Sequence, residues 1–144
     1  MGKGENVFLS SSARTNTIGV RVPAVDEQLI MLRALAETVA LVADFGLDEV
    51  ADMRLALDEV ATALLQDAVP GSELDCGFAY GESTMDITVS AVTLSETGPD
   101  KHSFGWHIVS TLTDSVSTTI GPRDAASGGY PTVVRFRWSR GGKA

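Results

Sequence analysis

Glu59 stands one helical turn ahead of Ala63 in the run Arg54-Leu55-Ala56-Leu57-Asp58-Glu59-Val60-Ala61-Thr62-Ala63. A carboxylate followed four residues later by an amide is suited to holding magnesium and orienting a water or hydroxyl. Both oxygens then leave one helix face, and Mg²⁺ prefers hard oxygen ligands. Here the second position carries only a methyl group. The competing reading is a solvated acidic face, because Asp48, Glu49, Asp52 and Asp58 share the segment and charged helix faces are usually just hydrated. His102 and His107 have neither a cysteine nor a second histidine at metal spacing, so no metal site is expected from them.

The element that must position Glu59 is a helix over residues 47–68. Leu47, Val50, Met53, Leu57, Val60, Leu64 and Ala68 recur at steps of three and four as one apolar stripe. Pro70-Gly71 is the expected stop. Asp48, Asp52, Glu59 and Gln66 share a polar face that can look outward or into a cleft. Upstream, Ile18, Val20 and Val22 alternate as a strand ended by Pro23. A first helix then spans residues 26–43, capped by Asp26, with Leu29, Leu32, Leu35 or Ala36, Val39 and Val42 inward. Asp44-Phe45-Gly46 joins the two helices, its glycine suiting a helix C-terminus.

Downstream, Leu74, Cys76, Phe78 and Tyr80 alternate, Gly81-Glu82-Ser83 turns, and Met85, Ile87, Val89 and Ala91 alternate again, which predicts a hairpin. Residues 95–102 read as a loop. A short helix over 104–112 follows, with Ser103 as its cap and Ile108, Val109 and Leu112 inward. Val116, Thr118 and Ile120 form another strand. After the glycine-containing loop 121–131, Val134, Phe136 and Trp138 form the last one. This order implies an α+β fold, a two-layer α/β sandwich with a mainly antiparallel sheet and helices on one face. A cleft between the helices and a loop is where it would hold a ligand or partner.

Composition narrows the function. The 144 residues, 44% hydrophobic and 21% charged, suit one domain with a real core. Residues 16–139 are assigned to it, between a flexible segment at 1–15 and a tail at 140–144. Cys76 is the one cysteine, so an internal disulfide is impossible and a buried thiol in a reducing compartment is expected. No apolar run approaches the roughly 18 residues of a membrane span, and the polar, Ser-rich start has no signal-peptide core. A cytoplasmic protein is expected. The net charge of −8 argues against nucleic acid, whose binding rests on clustered Lys and Arg. Arg135, Arg137, Arg140 and Lys143 form only a small patch, read as an outward strand face and tail. An acidic surface fits a basic partner, such as a protein of the DNA-binding machinery.

The order of elements, the run Arg54-Leu55-Ala56-Leu57-Asp58-Glu59 and the run Ser103-Phe104-Gly105-Trp106-His107-Ile108-Val109 together resemble the RsbW-type anti-sigma factors. These form the serine-kinase branch of the histidine-kinase-like ATPase superfamily, which has the Bergerat-type fold. The likeness covers residues 16–139 and is greatest to the actinobacterial anti-sigma-F factors. It implies a protein that sequesters a stress-type, sigma-F-like factor and is countered by a STAS-type anti-anti-sigma protein. It also implies ATP and Mg²⁺ as cofactors and a homodimer formed through the sheet.

In that family the glutamate matching Glu59 is the general base for phosphoryl transfer to a serine of the anti-anti-sigma partner. The position matching Ala63 is an asparagine that ligates magnesium. An aspartate after the middle strand reads adenine, but the matching segment Val89-Ser90-Ala91-Val92-Thr93-Leu94-Ser95 has none, and its first following glycine is Gly98. Of the glycines facing the phosphates, Gly105 is kept and Ser103 stands at another position. The resemblance therefore implies a cofactor site at Glu59, Ala63, Gly98 and Gly105 with parts missing, and a weak or absent kinase. Losing one preorganised electrostatic contact costs on the order of 10²–10³ in rate. Partner contacts are expected from Arg33, Phe104 and Trp106, residue types that anchor interfaces, with burial the other reading for Trp106. The competing functions are an active serine kinase using Thr62, Asp67 or water in place of the missing ligand, and an adaptor sharing only the fold.

Overall fold

The computed structural model describes residues 15–140. The segments expected to be loose, and Lys143 with them, lie outside the described residues apart from Thr15 and Arg140. Five strands, β1 (Asn16–Pro23), β2 (Glu73–Tyr80), β3 (Thr84–Thr93), β4 (Ser115–Ile120) and β5 (Tyr130–Ser139), make one sheet in the order β1-β2-β3-β5-β4. Every pairing is antiparallel. Among the described residues three helices, α1 (Leu29–Val42), α2 (Leu47–Gln66) and α3 (Phe104–Leu112), form the second layer. The expected α+β two-layer arrangement is therefore present.

Period-two patterning places the core on the helix side of the sheet. Phe78 pairs with Ile87 and Ile87 with Phe136, while Cys76 pairs with Val89 and Val89 with Val134. All six are buried. The apolar surroundings of Cys76 push its thiol up to about 12, so it carries no thiolate near neutral pH and is chemically quiet. On the opposite, wetter face the Arg21–Asp75 and Arg137–Asp86 pairs bridge neighbouring strands at 2.7 and 2.9 Å.

The helices depart from the pattern at their ends. Asp26 caps nothing: it opens a 3₁₀ turn, Asp26–Gln28, and α1 begins at Leu29 without a side-chain cap. Val42 and Leu47 lie 67% and 78% exposed, because the inward stripe runs out where the chain turns between helices. The left-handed residue in that turn is Asp44 (φ 66). Gly46 instead starts α2, its N–H donating to Glu49 Oε1 at 3.2 Å. The α2 helix ends at Gln66, before the expected limit, because Ala68 is drawn into a bridge with Thr93 and the Leu94 N–H donates to the Asp67 carbonyl at 2.7 Å.

Arg140, just past β5, closes the far end of the molecule. Its guanidinium lies over the Phe45 ring, 4.3 Å from the centroid, and donates to the carbonyls of Ala43, Asp44 and Glu82.

Candidate functional site

The middle helix, α2, packs against α1 on one side and α3 on the other. Its Val50, Met53, Leu57, Val60 and Leu64 are buried, which fixes its rotation and sends its polar residues into two separate grooves. Toward α1, the Arg33 Nε–H donates to Asp58 Oδ1 at 2.8 Å. Arg33 and Asp58 line a groove of about 360 Å³ with Ala51, Arg54 and Leu55.

Toward α3 lies a cavity of about 220 Å³. Glu59, Thr62, Ala63 and Gln66 of α2 form one wall, and Pro99, Ser103, Gly105, Trp106 and Val109 the other. The α3 side is set by local sequence. Ser103 caps the helix, its Oγ accepting from the Trp106 N–H at 3.1 Å, as its residue type predicts. Gly105 sits in the first turn of α3, where any Cβ would collide with the Glu59 carboxylate. This is a position that only glycine fills without displacing its neighbour. The fold thus brings Glu59, Ala63 and Gly105 together across more than forty residues of sequence.

Other predicted site residues fall elsewhere. Gly98 (φ 72) is packed on β4, where an added Cβ would meet Ile120 Cδ1 at 3.0 Å and Thr118 Cγ2 at 3.3 Å, and it does not line the cavity. Phe104 is 78% exposed, whereas Trp106 is buried, which leaves Phe104 the exposed aromatic at this end of α3. Arg33 belongs to the other groove. Of the two replacement ligands considered for position 63, Thr62 does line the cavity. Asp67 does not: its Oδ2 accepts from the Ser95 hydroxyl at 2.6 Å and from the Ser95 N–H at 3.3 Å.

Sequence reasoning missed the Arg33–Asp58 pair and the buried threonine pair at the end of β3. There Thr93 and Thr132 bring their hydroxyl oxygens to 2.8 Å, and Thr93 also donates toward the Ser95 carbonyl at 3.0 Å. A threonine at an inward position of each strand was the available signal. Near the start of α2, burial raises the Asp52 carboxyl above the usual carboxylate range, helped by Asp48 and Glu49.

The sheet and helix layer define an α+β sandwich with a small cavity at the junction of its second and third helices. No family model matches the chain. Over 101 residues it is 33% identical to the anti-sigma-F factor RsbW of Mycobacterium tuberculosis, in strains CDC 1551 / Oshkosh and ATCC 25618 / H37Rv alike. The alignment takes in 70% of this chain and 60% of those relatives, so the chain spans less than two thirds of their length. Among the described residues no helix is long and apolar enough to cross a membrane.

Proposed function

We infer that this chain is an RsbW-type anti-sigma factor with a Bergerat-type fold, acting in the cytoplasm by holding a sigma-F-like factor rather than by phosphorylating a partner. The observation that carries this reading is the α2–α3 cavity, taken with the likeness to a protein named anti-sigma-F factor. The residues present do not fit magnesium-bound ATP. The cavity offers one carboxylate, Glu59, and a methyl at Ala63 where a second oxygen ligand is needed. Among the described residues no lysine or arginine lines it. At about 220 Å³ it falls below the roughly 300–1,000 Å³ of small-molecule sites. Ser95, after β3, gives its hydroxyl to Asp67, and no aspartate stands where adenine would be read. Phosphoryl transfer depends on positioning and charge neutralisation around the metal, whereas gripping a protein depends on surface shape and complementary charge.

In this reading Arg33 and Phe104 are partner contacts, on the two sides of α2, and a STAS-type anti-anti-sigma protein competes for the same surface. A homodimer forms through the sheet. The test is co-elution of the chain with a sigma-F-like factor in the absence of nucleotide, beside a titration with labelled ATP and magnesium. Complex formation without ATP, with no saturable ATP binding, is the expected result. Arg33→Glu should weaken the complex at least tenfold, and undiminished binding would remove Arg33 from the interface.

One observation favours the kinase alternative, namely that Thr62 lines the cavity beside Glu59, so its hydroxyl is a candidate oxygen ligand in place of Ala63. Micromolar ATP binding and phosphate transfer to an anti-anti-sigma partner, both lost in Thr62→Val, would establish it.

A further inference from the structure

Among the described residues, the groups lining the α2–α3 cavity carry one formal charge, and it is negative. The Glu59 carboxylate is half-buried and has no hydrogen bond or ion pair among the described residues. Its neighbour Asp58 is paired with Arg33 at 2.8 Å. A carboxylate partly withdrawn from water and left without a counter-charge gains from a cation delivered to it. The other lining groups suit one kind of cation. Thr62 and Gln66 offer oxygen acceptors, and the largely buried Trp106 also lines the cavity. A guanidinium is planar, stacks on aromatic rings and makes two parallel hydrogen bonds to a carboxylate, which an ammonium cannot do. The volume of about 220 Å³ matches a single side chain better than a whole small molecule.

We propose that the Glu59 cavity receives an arginine side chain of the protein partner, so that the place matching a nucleotide site serves as an anchor pocket for a basic residue. This rests on the reading that a protein, not ATP, occupies this face. The net charge of −8 favours a basic partner approaching it. Arginine seated in a desolvated pocket is among the residues that dominate interface energetics.

The probe is N-acetyl-arginine methylamide, with the uncharged isostere N-acetyl-citrulline methylamide as its control. Both are titrated into the full chain while the Gly105 amide and Trp106 indole resonances are followed by NMR. The arginine probe should give saturable shifts at both resonances, with affinity at least tenfold above that of the citrulline probe. Glu59→Gln should erase that preference. Ala63→Leu, which keeps the charge and fills the cavity, should weaken the arginine probe at least tenfold, with the spread of resonances reporting that each variant is folded. Equal affinity for the two probes, or undiminished binding in either variant, would overturn the proposal. If ATP with magnesium saturates the same resonances, the sequestration reading falls as well. If neither probe nor ATP binds while the sigma factor still does, only the arginine pocket is refuted.

Discussion

Asp58 and Glu59 are consecutive carboxylates on one helix, yet they meet opposite fates. The step of about 100° between neighbouring helix positions turns Asp58 toward α1, where Arg33 pairs with it, and Glu59 toward α3, where it presses against Gly105 unpaired. The first carboxylate ties two helices together. The second is held against the start of α3 with no partner among the described residues, its outer side facing an open cavity. Charge on a helix is therefore not one property: the rotation fixed by Leu57, Val60 and Leu64 decides which acid is structural and which is available.

That contrast can be broken most severely at its common support. Leu57 is wholly buried between the layers, and Leu57→Ala should cost about 2–5 kcal/mol in urea denaturation, loosening both grooves at once. Gly105→Ala is next, at about 1 kcal/mol or less, because its new methyl must push aside the Glu59 carboxylate, the free end of a flexible side chain, while alanine regains helix propensity. Adding Glu59→Ala to that variant should make the Gly105→Ala change neutral or stabilising, and strictly additive effects would show that the two residues do not meet.

Removing the pair on the other side should matter less. Arg33→Ala should cost about 0–1 kcal/mol, as for a part-exposed ion pair, whereas Glu59→Gln should leave stability unchanged or raise it. The smallest effect concerns Asp52. Its carboxyl is raised mainly by burial, so the folded chain holds that proton more tightly than the unfolded one. Its contribution to stability is therefore present at low pH and is lost as pH rises through the raised value. Asp52→Asn should raise Tm slightly at pH 7 and leave it unchanged near about pH 3, and an equal shift at both would refute the assignment.

What could be read from residue order was whatever depends on near neighbours. The alternation at Leu74, Cys76 and Phe78 and again at Met85, Ile87 and Val89 is a local rule, and both strands and their turn follow it. Ser103 caps α3 because its hydroxyl needs only a backbone N–H three residues on. The end of α2 was illegible because it is decided by a bridge between Ala68 and Thr93, not by Pro70. Val42 and Leu47 fit an inward stripe by spacing, yet none of the described elements lies over them. The site divides the same way. That Glu59 and Ala63 share a face follows from helical spacing, but the reason for glycine at 105 appears only when α3 is laid against α2. Arg33 was singled out by residue type, while its partner, 25 positions away, carried no local signal.

The clasp made by Arg140 has a consequence for the order in which the chain can finish folding. The turn joining α1 to α2 keeps Asp44 in a left-handed conformation that aspartate tolerates better than most non-glycine residues, and the guanidinium that secures its carbonyl comes from 96 positions later. The helical hairpin is local in sequence and its turn has its own hydrogen bonds, from the Asp44 N–H to the Leu41 carbonyl and from the Phe45 N–H to the Ala40 carbonyl, whereas the bonds from Arg140 form only once β5 has docked. A pair of helices that could close early thus waits on the last strand for its final ordering.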